Sequence, residues 1–190
     1  MTSINEFKMD NRTKEEFIAD MEKGLSNEVR AIKELRLILK NSKVEKPSVI
    51  YVGSEKEGEI EFDDNNEVAD VDTFPDYLLK YKKQGRIRAR FLEVKTCNPH
   101  SHNMFFKVSQ IHQYCEIPDV LILFIMGAST KFPMYTLVKP QDIVDLKLQP
   151  QLVYGKKTYI VPKDNFHWEV FSHEIARDFN IIEKDYLIKK

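Results

Sequence analysis

Apolar residues recur along this chain with two different periods, and the switches between them mark out its elements. After a polar first dozen residues, Thr13 stands three positions before Glu16, the spacing of a capping box. It opens a helix through Phe17, Ile18 and Met21 that Gly24 is expected to end or bend. Helical spacing resumes over 26–41, where Leu25, Ile32, Leu35 and Leu39 form one stripe with Val29 and Arg36 beside it. Glu28 falls on that same stripe. Pro47 introduces a short apolar strand, 49–52, and residues 58–62 and 67–71 read as a hairpin around Asp63-Asp64-Asn65-Asn66.

Two strand-rich runs, 74–83 and 87–97, meet at Gln84-Gly85, where glycine accepts the positive φ of a tight turn, so they are expected to pair antiparallel. Over 103–116 the spacing reads as helical, with Met104, Val108, Ile111 and Cys115 on one face. Pro118 then releases the chain into a buried strand, 120–126. Residues 133–138 and 158–161 read as further strands, and a terminal helix from 172 carries Ile175, Phe179 and Ile182 at helical spacing. The expected class is mixed α/β, with a central sheet flanked by helices.

Composition narrows this further. A chain of 190 residues with 42% hydrophobic and 31% charged content supplies one core and little for a second, so a single domain over 1–190 is the expectation. The longest apolar run, 120–126, falls far short of the roughly 20 residues that span a bilayer, and no targeting signal precedes it. A soluble, intracellular, cytoplasmic protein with no membrane partner is expected. Cys97 and Cys115 have no metal-ligand spacing and suit a reducing compartment.

The net charge of −1 means that affinity for nucleic acid has to come from a local cluster of cations. Charge is in fact segregated: residues 55–72 hold nine acids and one lysine, whereas residues 80–90 hold six cations and no acid. The acidic segment would repel phosphate and is expected to turn away from a substrate. The basic run reads either as a solvated edge that discourages sheet aggregation or as a track for a nucleic-acid backbone.

A two-residue turn at Gln84-Gly85 places Asp76 directly opposite Glu93, and Lys95, two residues further on, shares the face of Glu93 opposite Phe74. The rest of that face is Leu78, Phe91 and Ala89. Like charges paired across strands and set beside aromatic groups destabilise a sheet unless something compensates. A divalent cation would do so. Oxygen ligands from Asp76 and Glu93, with the main-chain carbonyl of Val94, suit Mg2+ or Mn2+, which keeps waters and meets phosphate oxygens at its other positions. Lys95 would then stabilise charge at the attacking water or the scissile phosphate. Glu28 has two readings: a third acid of the site, or a favourable first-turn acid near a helix N-terminus.

The letters Pro75-Asp76 and Glu93-Val94-Lys95 resemble the signature of the PD-(D/E)XK nuclease superfamily, to which many restriction enzymes, archaeal Holliday-junction resolvases and RecB-like exonucleases belong. The resemblance implies a restriction endonuclease-like fold, an αβββαβ core over about 24–127 followed by an extension, 128–190. It implies a metal-dependent nuclease acting on DNA, with Asp76, Glu93 and Lys95 as its centre and Glu28 as the first-helix glutamate. Gln110 and Tyr114 resemble the Gln-x-x-x-Tyr element of the RecB-like branch, and at spacing four they share a helix face. With Lys107 they would form a polar flank touching a phosphate or the edge of the metal site.

Other readings of the same residues stay open. Asp76, Glu93 and Lys95 also read as a cross-strand salt-bridge cluster that needs no metal, which would make the chain a non-catalytic nucleic-acid-binding or assembly protein. An enzyme acting on another phosphate ester is a third reading. Asp70 and Asp72 are alternative ligands if the strand register slips, and Pro118-Asp119 is a decoy, with no acid-x-lysine after it. His100 and His102 follow the lysine strand and read as surface residues. A homodimer, joined through the segment after 128, would give one site per chain access to both strands of a duplex.

Overall fold

The computed structural model describes residues 13–40, 45–53, 74–153 and 155–171. The expected hairpin over 58–71, Asp70, Asp72 and the terminal helix from 172 lie outside those residues. The first described element is helix α1 (Lys14–Lys40), started by the expected capping box. The Thr13 N–H donates to Glu16 Oε2 at 2.8 Å, and the Glu16 N–H donates to Thr13 Oγ1 at 3.2 Å.

Gly24 does not end this helix, contrary to expectation: α1 runs through it for 27 residues. A mid-helix glycine costs only about 1 kcal/mol relative to alanine, too little to break a helix whose second half is anchored by Ala31, Ile32, Leu35, Ile38 and Leu39. The anticipated stripe is also corrected at its start. Leu25 is 63% exposed and Val29 is exposed, whereas Ala31, Ile32, Leu35, Ile38 and Leu39 further along α1 are buried against the sheet. A Cβ built on Gly24 meets nothing within 4 Å. Gly24→Ala is therefore expected to raise stability by about 0.5–1 kcal/mol, read as a higher urea midpoint at unchanged m-value.

Next come β1 (Glu45–Tyr51), β2 (Tyr77–Lys83), β3 (Arg86–Cys97), β4 (Asn103–Lys107), α2 (Val108–Glu116) and β5 (Val120–Met126). Then follow β6 (Met134–Val138), α3 (Pro140–Asp145), β7 (Gln151–Val153), β8 (Lys156–Pro162), a 3₁₀ turn at Lys163–Asn165, and β9 (Glu169–Val170). Six strands form a mixed sheet in the order β1-β2-β3-β5-β6-β9, and β4-β8-β7 form a second, three-stranded sheet. The fold is mixed α/β, as its two hydrophobic periods imply.

Three features of the large sheet matter for the site. Gln84 (φ +48°) and Gly85 (φ +77°) both take positive φ, the requirement of a two-residue hairpin turn, and lock β2 to β3 with Tyr77 opposite Leu92 and Lys83 opposite Arg86. Strand β5 runs parallel to β3 and is buried along nearly its whole length, which is why its sequence is a continuous apolar run. Helix α1 covers one face, over Tyr77, Leu79, Tyr81 and Leu92, and a second core on the other face joins β5 to α2, α3 and the small sheet.

The expected helix over 103–116 is corrected. Its first five residues form β4, paired with β8, and only Val108–Glu116 is helical. Met104 and Phe106 are buried while Phe105 is 48% exposed, a period of two that overlaps the helical spacing of Met104, Val108 and Ile111. Pairing with β8 decides between them. Cys115, read as sharing one face with Met104, Val108 and Ile111, is exposed, and Tyr114 is buried beside Ile111 instead. Among the described residues, no helix is long and apolar enough to cross a membrane.

Candidate active site

The hairpin register carries Asp76, the residue just before β2, to the position opposite Glu93, as the turn arithmetic requires. The main-chain carbonyl of Asp76 accepts from the N–H groups of Val52 at 2.8 Å and Gly53 at 3.1 Å, which fixes its backbone against the end of β1. Of the charges around the Asp76 carboxyl, that of Glu93 acts on it most strongly. Lys95, on the same face of β3, places Nζ 2.7 Å from Glu93 Oε1. The three residues read from the sequence as a reaction centre are thus brought together.

Glu93 is the pivot. Only 4% of it is exposed, an environment that a charged carboxylate tolerates only with partners. Tyr114 OH donates to Glu93 Oε2 at 2.8 Å, and Gln110 Nε2 lies 3.4 Å from Oε1 and 2.9 Å from the Tyr114 oxygen. Gln110 and Tyr114, expected as a flank for a phosphate or the edge of a metal site, both reach back to Glu93. Their spacing of four on α2 sets them one above the other, facing β3. Lys107 stands exposed at the N-cap of α2, one turn ahead of Gln110.

Glu28 joins from the other side of the sheet. It is half-buried on α1 and accepts from Tyr77 OH at 2.9 Å. Tyr77 is a site residue that sequence reading misses, since strand alternation points it away from Asp76 and toward α1. Only the seating of α1 brings Glu28 to it. Val94 sends its side chain into the core beneath α1, between Glu93 and Lys95. His100 and His102 are exposed in the loop after β3, and the His100 N–H donates to Asn98 Oδ1.

Electrostatics follow from crowding three acids around one ammonium. Burial, then the charges of Glu93 and Glu28 and the hydrogen bond with Glu93, push the Asp76 carboxyl up to about 7, against the pull of Lys95. Burial also raises Glu28, opposed by its hydrogen bond from Tyr77. Tyr114 is raised by burial and by Glu93, so it stays a neutral donor at physiological pH.

The donor set suits a hard divalent cation. Among the described residues no three His, Cys, Asp or Glu side chains stand together at the spacing of a completed ion site. Asp76 and Glu93 nevertheless form an adjacent carboxylate pair whose repulsion a cation would relieve, and one or two carboxylates with retained waters is the usual protein share of a Mg2+ site. No family model matches the chain, and no curated protein is similar to it in sequence.

Proposed function

We propose that this chain is a Mg2+- or Mn2+-dependent nuclease of the PD-(D/E)XK kind, with a restriction endonuclease-like fold, that hydrolyses phosphodiester bonds in DNA. The observation that carries this reading is the meeting of Asp76, Glu93 and Lys95, with the Lys95 ammonium 2.7 Å from Glu93. The order of elements supports it. An antiparallel meander of β1, β2 and β3 after α1, then α2 and a β5 parallel to β3, follows the helix, three strands, helix and strand that the resemblance implies. Strand β4 is an addition before α2.

Asp76 and Glu93 would hold the ion, with Glu28 and the Val94 carbonyl as the further ligands the sequence suggests. When bound, the ion supplies a water of lowered pKa and stabilises charge developing on the phosphate oxygens. Gln110 and Tyr114 keep both oxygens of Glu93 oriented, so the carboxylate need not reorganise during the reaction. Tyr77 does the same for Glu28. Lys95 holds a positive charge at the mouth of this cluster, where a scissile phosphate gains negative charge in its transition state.

The test is incubation with linear duplex, single strands, supercoiled plasmid and a four-way junction, in Mn2+ or in chelator. Cleavage of at least one substrate, suppressed by chelator, is expected. Failure to cut any of them under either condition would sink the reading. A non-catalytic nucleic-acid-binding or assembly protein is the second reading, favoured by the fact that both oxygens of Glu93 already have protein donors. Calorimetric titration with Mn2+ separates the two, since only the nuclease requires binding that disappears with Asp76 and Glu93.

A further inference from the structure

The β2–β3 register divides the basic run between two faces of the sheet. Arg88 and Arg90 stand opposite Tyr81 and Leu79 on the α1 side, and Arg86, two residues before Arg88, joins them. The face that carries Asp76, Glu93 and Lys95 has a different make-up. From that cluster toward the hairpin tip it presents Leu78 opposite Phe91, Lys80 opposite Ala89 and Lys82 opposite Ile87, with Ile50 beside Leu78 on β1. Ile87 is 79% exposed and Ile50 42%, and Lys80 and Ala89 are exposed with them. Among the described residues of these three strands, the one acid on this side beyond the cluster is Glu45, at the far border, 4.0 Å from Lys82.

An aromatic pair joins this face to the cluster. Strand β2 begins at Tyr77, and the chain bends at Phe74 and Asp76, so Phe74 lies outside the paired register that would set it opposite Lys95. Its ring packs on Phe91 instead, with centroids 5.0 Å apart and planes at 78°, and Phe74 remains 38% exposed. Pro75, buried between Phe74 and Asp76, restricts the residue before it to extended backbone, which holds ring and carboxylate one rigid residue apart. Phe91 stands two residues from Glu93 on the same face, about 6.6–6.8 Å along the strand.

We propose that Phe74 and the apolar face running from it to Ile87 take the bases of an unpaired nucleic-acid strand, so that the substrate reaching Asp76, Glu93 and Lys95 is single-stranded. The proposal rests on the nuclease reading for the cutting, and on this face for the choice of strand. A duplex keeps its bases stacked inside and offers phosphates, sugars and base edges, which cations and polar groups reward and apolar side chains largely do not. An unpaired strand exposes the faces of its bases, and aromatic side chains beside a few cations hold them. Here Phe74, Phe91, Leu78, Ile50, Ala89 and Ile87 outnumber Lys80 and Lys82. A second copy of this chain fits the face less well. Across a two-fold axis the patch would meet itself, lysines against lysines, with Glu45, already beside Lys82, as the acid to answer them.

The experiment measures binding by anisotropy in Ca2+ across a salt series, for a fluorescent single strand and for the same strand annealed to its complement. It compares the wild-type chain with Phe74→Leu, Phe74→Tyr and Lys80→Gln, and with the control Phe132→Leu, which alters an exposed aromatic outside this face. The wild-type chain is expected to bind the single strand at least about tenfold more tightly than the duplex. Phe74→Leu should lose about fivefold or more on the single strand, the lower end of one base's stacking, at an unchanged log–log salt slope. Phe74→Tyr should recover most of that affinity, because it restores a ring and not merely apolar bulk. Lys80→Gln should lower the slope by about 0.7, one phosphate contact on a single strand. The control should bind as wild type does, and the thermal midpoint of Phe74→Tyr should match wild type. Equal wild-type affinity for both forms, or unchanged affinity in Phe74→Leu, overturns the proposal, even if chelator-sensitive cleavage is intact and the nuclease reading stands. Phe74-dependent binding of the single strand with no cleavage by the wild-type chain keeps the base platform and removes the nuclease. A wild-type chain that binds no nucleic acid overturns the proposal, as does sedimentation of a dimer that Ile87→Glu dissociates.

Discussion

Asp76→Asn is expected to abolish chelator-sensitive cleavage and, in the same molecule, to raise the melting temperature of the metal-free protein at pH 8. The loss of activity follows from removing one of the two carboxylates that would hold the ion, with a fall of at least ~10²–10³ in rate by analogy with other lost transition-state stabilisers. The gain in stability follows from the crowding of acids. Asp76 feels the charges of Glu93 and Glu28, with Lys95 the ammonium close by and the Tyr77 and Tyr114 hydroxyls committed to Glu28 and Glu93.

The sign of the pH dependence follows from the Asp76 proton. Its carboxyl is pushed up to about 7 in the folded chain, from an ordinary value of 3.8. Below about pH 4 it is protonated whether the chain is folded or not. Between about 4 and 7 the unfolded chain releases the proton and the folded chain keeps it, so stability falls as pH rises. Above 7 the repulsion is felt in full. Asp76→Asn removes the ionisation, so its advantage over wild type should be absent near pH 4, grow toward neutrality and level off above pH 7. In a domain of this size each kcal/mol moves the midpoint by about 2–4 °C, readable by calorimetry in chelator. A midpoint difference that does not change with pH would show that Asp76 is not crowded by the other acids.

Lys95→Ala is expected to abolish cleavage too, but to move stability in the opposite direction. Its ammonium is the cationic partner of Glu93, whose side chain is only 6% exposed, whereas Lys95 itself is 29% exposed. Removing it leaves a buried carboxylate with Tyr114 on one oxygen and the long Gln110 contact on the other. Losing one partner of a buried polar group costs about 1–3 kcal/mol, so the midpoint in chelator should drop by several degrees. Added Mn2+ should recover more of it in this variant than in wild type, because the ion substitutes for the missing charge. Two inactive variants with midpoints displaced the same way, both indifferent to Mn2+, would mean that these groups do not share a site.

Much of that geometry is legible before folding is considered. A two-residue turn with glycine at its second position leaves one register, and a strand's period of two then determines which side chains share a face. Asp76, Glu93 and Lys95 follow from those two rules. The Thr13 capping box and the buried run 120–126 are equally local, since the partners of the first lie three residues apart and the second is apolar on both faces. Gly24 misleads because a local cost of about 1 kcal/mol is outweighed by the burial of a helix face seven to fifteen residues further on. Residues 103–107 mislead because two periods fit them at once, and the winning one requires a partner strand more than fifty residues away.

By itself, then, the sequence determined the elements whose signals are short in range: the hairpin, its register and the acid-and-ammonium face. Tertiary structure alone decided which remote groups complete that face. Tyr114 and Gln110 on Glu93, and Tyr77 on Glu28, are joined across separate elements, and their contacts depend on how α1 and α2 sit against opposite faces of one sheet. The physical reason is that hydrogen bonds within a turn or between adjacent strands are specified by spacing along the chain. Contacts between layers are specified by packing, in which every buried side chain takes part.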